Sequence, residues 1–184
     1  MANSIKLNLG SGKNLQKGFI NVDKVDFKKK GCDFVKSDVR KLPFKDNYAD
    51  YILAYQILEH IPIKDAVPAL KEWTRVLKKG GRIVITVPNF TDMARNWMNE
   101  MTGRIDLIRY LRLSQHIYGN QLHEGEFHCI PFTPNFLHYL LTDSGLKEWK
   151  MYAYPAMVKA VSYPGFNGKG RVYAVGQIHV DGYK

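Results

Sequence analysis

Apolar positions along the chain fall into short runs of strand type, broken by polar turns and by stretches with helical spacing. The first run, Ile5 to Leu9, ends abruptly in Gly10-Ser11-Gly12, the pattern of a buried parallel strand that closes in a ligand-hugging turn. Gly18-Phe19-Ile20-Asn21-Val22-Asp23 and Cys32-Asp33-Phe34-Val35-Lys36 are two further short strands, and Ala49 to Tyr55 is a fourth, clearer one. So few residues separate Gly12 from Gly18 that a connecting helix there is a turn or so at most, shorter than a usual crossover. From Ile63 to Lys79 the spacing of Val67, Leu70, Trp73, Val76 and Leu77 predicts an amphipathic helix, with Pro68 near its first turn and Gly80-Gly81 as its stop. A fifth strand follows over Arg82 to Val87, closed by Pro88.

The rhythm then changes. Asn89 to Ile130 contains two helical pieces, about Asp92 to Met101 and Arg104 to Tyr118, and a polar loop from Gln121 to His128. Inserted after strand five, this segment is expected to lie over the carboxyl edge of the sheet as a lid or acceptor-binding element. Thr133-Pro134 opens another helix, with a capping residue and a proline at its first position, and Gly145 ends it. Two last strands are expected, about Leu146 to Ala153 and Arg171 to His179, around an exposed turn at Tyr163 to Gly168. The pattern predicts an α/β fold: a mostly parallel, seven-stranded sheet in a single domain over residues 1–184, with an abbreviated first helix and a helical lid.

Composition narrows the partners. The 184 residues are 45% hydrophobic and 24% charged, with a net charge of +10. That charge suits nucleic acid, an anionic surface or an acidic substrate, but the basic residues are dispersed, and the runs Lys28-Lys29-Lys30 and Lys78-Lys79 both precede glycines. A solvated surface is the simpler expectation. No apolar stretch reaches the roughly 18 residues of a membrane span, and no leader pattern opens the chain. The expectation is a soluble, cytoplasmic protein. Cys32 and Cys129 have no cysteine neighbour, so neither a disulfide framework nor a cysteine zinc site is expected.

The glycine turn is neither of two common phosphate binders. A P-loop requires glycine where Leu7 stands and a hydroxyl where Asn14 stands, and a dinucleotide fingerprint requires a third glycine where Leu15 stands. Asp23 ends strand two, Asp38 follows strand three, and Tyr55-Gln56 ends strand four. In a parallel sheet these ends converge on one crevice. An acid at the second can accept hydrogen bonds from two ribose hydroxyls, and one at the third from an adenine amino group, so the ligand expected is nucleoside-shaped.

These residues resemble the Rossmann-like (class I) S-adenosylmethionine-dependent methyltransferases. The similarity is nearest to the small-molecule branch with the methyltransferase type 11 pattern, which includes enzymes associated with sugar and polysaccharide pathways. It rests on Leu7 to Gly12, Asn21-Val22-Asp23, Ser37-Asp38-Val39 with Leu42-Pro43-Phe44, Leu58-Glu59-His60, and Arg75 to Arg82. The resemblance implies S-adenosyl-L-methionine as cofactor, with Gly10, Ser11 and Gly12 at its methionine part, Asp23 at the ribose, Asp38 and Val39 at the adenine, and Tyr55 and Gln56 beside the sulfonium. The family often has an acid where Asn8 stands, so the contact to the cofactor's amino group is altered here.

Methyl transfer from a sulfonium needs chiefly a nucleophile held in line in a dry site, plus removal of a proton for an oxygen or nitrogen acceptor. His60, His123, Glu124 and His128 are the catalytic candidates, with Tyr118 and Glu126 as further polar lid residues. The spacing of His123 and His128 matches no familiar zinc motif, and no metal is expected. His116, His138 and His179 are expected at the surface or in packing. A small-molecule acceptor, such as a sugar or related metabolite, is the expected substrate. The alternatives are a nucleic-acid (RNA) methyltransferase and a non-catalytic cofactor-binding domain. Against the former, Ala54-Tyr55-Gln56-Ile57 lacks the Asp/Asn-Pro-Pro-aromatic element of amino-methylating DNA enzymes, and there is no Pro-Cys nucleophile.

Overall fold

A computed structural model describes residues 4–101, 107–122, 125–154 and 176–184. The elements run in the order β1 (Lys6–Leu9), β2 (Ile20–Asp23), β3 (Asp33–Lys36), β4 (Ala49–Tyr55), a 3-10 turn (Leu58–His60), α1 (Ile63–Val76), β5 (Leu77–Pro88), α2 (Phe90–Met101), α3 (Leu107–Tyr118), α4 (Pro134–Thr142), β6 (Glu148–Tyr154) and β7 (Gln177–Tyr183). One seven-stranded sheet forms, in the order β3-β2-β1-β4-β5-β7-β6. The chain therefore starts in the middle of the sheet, steps outward to β3, and returns to β4 on the other side of β1.

The expected mostly parallel sheet is a mixed one. β1 pairs in parallel with β2 and β4, β2 with β3, and β4 with β5, but β7 runs antiparallel to both β5 and β6. Alternation of apolar residues reports that a strand is half or fully buried; it carries no information about direction. Parallel neighbours β1 and β2 are joined by turns over residues 10–19 with no helix at all, so the first connection is shorter even than expected. Its polar anchor is Asn21, whose amide donates to the Gln16, Phe19 and Asp33 carbonyls and accepts from Gln16 N–H at 2.8 Å.

α1 and α4 cover one face of the sheet. Ala66, Ala69, Leu70, Trp73 and Val76 of α1 and Leu137, Leu140 and Leu141 of α4 pack with Leu7, Leu9, Ile52, Ile85, Ile178 and Val180 of the strands. Trp73 is fully buried, and its indole N–H is satisfied by the Val39 carbonyl at 2.9 Å. The Thr133 hydroxyl caps α4 by accepting from Phe136 N–H at 3.2 Å, with Pro134 at the first helical position.

Three boundaries differ from expectation. α1 stops at Val76, and Pro68 lies inside it rather than in its first turn. Lys78-Lys79-Gly80-Gly81 belongs to β5: Ala49 pairs with Leu77 and Tyr51 with Arg82, so the residues between bulge out of the ladder, with Gly80 at φ +72°. A cationic pair followed by glycines looks alike at a helix end and at a bulge, because both need positive φ. β7 begins at Gln177 and runs to Tyr183, later than expected; residues 171–175 and the turn at Tyr163 to Gly168 lie outside the described residues. Among the described residues, no helix is long and apolar enough to cross a membrane.

Candidate active site

The carboxyl ends of β1, β2, β3 and β4 lie side by side along one edge, and the candidate residues sit on the loops that leave it. Gly10 and Gly12 both have positive φ, at 62° and 49°, but for different reasons. A Cβ on Gly10 would collide with the Ile57 side chain, whereas one on Gly12 would meet nothing. Gly10 is a glycine because the core presses on it. Gly12 presents bare backbone to open space, as a ligand-facing turn requires.

Asp23 closes the same turn. Its Oδ2 accepts from Gly12 N–H at 2.8 Å and its Oδ1 from Val25 N–H at 2.9 Å, while Ser37 N–H donates to its carbonyl at 2.9 Å. One protein hydrogen bond per oxygen leaves lone pairs free on a half-buried carboxylate. Asn8 faces the other way: its amide donates to Asn21 Oδ1 at 2.9 Å and to the Asn14 carbonyl at 3.3 Å, bracing the loop from beneath. Ser11 is buried, and its Oγ has no hydrogen-bond partner.

Asp38 is engaged by Arg40, whose Nε lies 3.1 Å and whose Nη2 lies 2.7 Å from Oδ2. This contact holds the Asp38 carboxyl below the usual carboxylate range, and Arg40 reaches on to Asp65 at 2.9 Å. Val39 is buried in the main core. Tyr55 ends β4, with its hydroxyl accepting from Gln177 Nε2 at 3.4 Å. Gln56 is a non-glycine residue at φ +52°; its N–H donates to the Thr86 carbonyl at 2.8 Å, and its side-chain Nε2 is buried without a partner. A strained backbone carrying an unsatisfied donor is the kind of feature that accumulates at functional edges.

Beyond Gln56 comes a group that the letters alone do not reveal. Glu59, in the 3-10 turn, is 1% exposed, and neither carboxylate oxygen has a hydrogen-bond partner. Burial pushes its carboxyl up to about 8. His60 Nδ1 lies 3.1 Å from the Phe127 carbonyl; because a carbonyl only accepts, Nδ1 carries the proton and Nε2 keeps a lone pair. The rings of His60 and His128 meet edge-to-face with centroids 4.8 Å apart. Burial lowers both imidazoles, His128 to about 4 with the help of neighbouring His60. The structure thus brings together His60 and His128, and adds Glu59. His123 and Glu124 lie outside the described residues. Glu126 accepts from Leu122 N–H at 3.1 Å, and Tyr118 is exposed.

The remaining histidines pack as expected: His179 is buried beside Thr86, and His138 stands against the Trp149 ring. Cys32 and Cys129 are free thiols.

The β3-β2-β1-β4-β5-β7-β6 sheet and the glycine turn have counterparts. A family model described as a methyltransferase domain matches residues 11–85. Over that stretch the chain is similar to methyltransferase domains. Its fold is that of a S-adenosylmethionine-dependent methyltransferase structure from Archaeoglobus fulgidus, with a TM-score of 0.65 at 16% identity over 100% of this chain and 87% of that one. A possible histamine N-methyltransferase from Thermotoga maritima is similar, with a TM-score of 0.64 at 18% identity over 100% and 84% of the two chains. Among curated proteins, cycloartenol-C-24-methyltransferase 1 of Oryza sativa subsp. japonica is 49% identical over 49 residues, 27% of this chain and 14% of that protein. The curated relatives are matched over only 13% to 26% of their own length. The match ends at Ile85, so the segments from Thr86 onward lie beyond the matched family model.

Proposed function

We propose that the chain is an S-adenosylmethionine-dependent methyltransferase acting on an oxygen or nitrogen of a small-molecule acceptor, such as a sugar or related metabolite. The observation that carries the reading is the pair of buried, partnerless polar atoms on the carboxyl edge, Ser11 Oγ and Gln56 Nε2, beside the open face of Gly12. Such atoms are costly unless a ligand satisfies them, and they sit on the loops that leave β1 and β4, which supports a ligand at this edge.

S-adenosylmethionine supplies a methyl group already activated as a sulfonium. Asp23, with lone pairs to spare, would hold the two ribose hydroxyls, and Gly12 would let the methionine part approach the backbone, with Gly10, Ser11 and Asn8 shaping the turn. Asp38 and Val39 would border the adenine, with the Asp38 carboxylate shared between Arg40 and the adenine amino group. Tyr55 and Gln56 flank the reacting end. His60 and His128 are the acceptor-side candidates, and His123 and Glu124, which lie outside the described residues, are candidates by their place in the sequence. A lid over this edge is supported by the ties of Phe127 and Cys129 to the 3-10 turn, Cys129 N–H donating to the Glu59 carbonyl at 2.6 Å. A covered edge excludes water and holds an acceptor in line.

Incubation with S-adenosylmethionine labelled at the methyl group and fractionated cell metabolites tests the reading. Label is expected in a small, organic-soluble or sugar-like product. Label confined to RNA would move the assignment to a nucleic-acid enzyme, which the +10 charge makes the rival to exclude. Cofactor binding without label in any fraction would make the chain a binding domain.

A further inference from the structure

We propose that Glu59, His60 and His128 form a binding site for a single divalent transition-metal cation of the zinc class, at the acceptor end of the candidate active site. One ligand atom from each of the three lies within 4.8 Å of the others, although the side chains come from two segments far apart in the sequence. Donors on one zinc ion are about 3.3 Å apart, given metal–nitrogen and metal–oxygen bonds of roughly 2.0–2.2 Å.

Three observations point to a cation rather than to chance proximity. Glu59 is buried with both oxygens lacking any partner, a state that neither packing nor a hydrogen bond in the described residues accounts for. His60 is oriented as metal-bound imidazoles are, with one ring nitrogen donating to a backbone carbonyl and the other left with its lone pair. The backbone around the ligands is fixed: the Glu59 carbonyl takes Cys129 N–H at 2.6 Å, the Tyr118 carbonyl takes His128 N–H at 3.1 Å, and Gly119 packs so closely on the Glu126 carbonyl that it has no space for a Cβ. Cation binding would displace the Glu59 proton to solvent; two imidazoles and one carboxylate then favour zinc, or iron and manganese of similar demand, over calcium or magnesium, which prefer all-oxygen shells. Three protein ligands leave a coordination position open. Glu59 lies three residues after Gln56, so an acceptor hydroxyl or phenol bound at that position would stand at the methyl-transfer edge. This last step rests on the proposed methyl transfer; the cation site does not.

The test uses the full chain stripped with chelator and titrated with zinc by competition calorimetry, without S-adenosylmethionine. One equivalent per chain is expected, with affinity reduced at least tenfold in Glu59→Gln and in His128→Ala and unchanged in His138→Ala. Cobalt(II) is expected to give ligand-field absorption in the parent chain that the same two variants lose. Circular dichroism establishes that each variant is folded; if either is not, paramagnetic shifts of the His60 and His128 imidazole resonances in the cobalt-loaded parent decide. Absence of zinc binding, binding indifferent to both substitutions, or unshifted His60 and His128 resonances would overturn the site. Because none of these readouts involves methyl transfer, this claim and the enzymatic one fail separately.

Discussion

Replacing Gly10 and Gly12 by alanine separates two reasons for a glycine. At Gly10 the new methyl meets Ile57, and overpacking of this kind costs about 1–3 kcal/mol on top of about 1–2 kcal/mol for a side chain at positive φ. At Gly12 only the backbone term applies, but the methyl points into the space assigned to the cofactor. Urea denaturation is expected to show the larger loss for Gly10→Ala, and calorimetry a more than tenfold loss of S-adenosylmethionine affinity for Gly12→Ala. Asp23→Ala should weaken the same affinity more than tenfold, since it removes both the proposed ribose acceptor and the brace on Gly12; an unchanged affinity would remove Asp23 from the site. Substitution of His128 by alanine is expected to spare cofactor affinity and reduce turnover. At this scale the sequence shows Gly12, Asp23 and Gln56 plainly, through their places at strand ends. It hides Glu59, whose acid sits among Leu58, His60 and Ile61 with nothing to mark it as partnerless, and it hides the meeting of His60 with His128, which exists only in the folded chain.

Elements are held to one another by a few charged clamps. Glu72 on α1 accepts from Leu42 N–H at 2.8 Å and from Arg75, which itself reaches the Phe44 carbonyl at 2.9 Å and the Asp46 carboxylate. The Arg75 guanidinium holds the Glu72 carboxyl below its ordinary value of 4.5. A depressed carboxyl stabilises the fold fully above its unfolded value and loses that contribution as pH falls through the folded one. Thermal unfolding followed against pH should therefore show Glu72→Gln less stable than the parent at neutral pH, with the gap closing below pH 4.5. A gap that persists in acid would mean the clamp works by shape and not by charge. The sequence exposes α1 and α4 through their spacing and capping residues, but not where α1 ends, since the glycine pair that reads as a helix stop is a bulge inside β5. Tertiary pairing with Ala49 and Tyr51 decides that boundary, and no local pattern contains it.

Across the whole molecule, the order of strands follows from a chain that begins at the centre of its sheet and places every loop after β1, β2, β3 and β4 on one edge. That edge collects a bare turn, a half-buried carboxylate and, among the described residues, four buried polar atoms without a partner on Ser11, Gln56 and Glu59, while the antiparallel β7 closes the other half of the sheet. Five of the strands and their common edge are legible from the apolar runs; the direction of β7 is not, because a buried strand looks the same both ways. The central claim is that this edge binds adenosine with a sulfonium or thioether arm, and isothermal titration of the folded chain with S-adenosylmethionine and with its demethylated product tests it most directly. Saturable binding of one molecule per chain to both is expected, weakened more than tenfold by Asp23→Ala; a well-folded chain with no affinity for either ligand would contradict it.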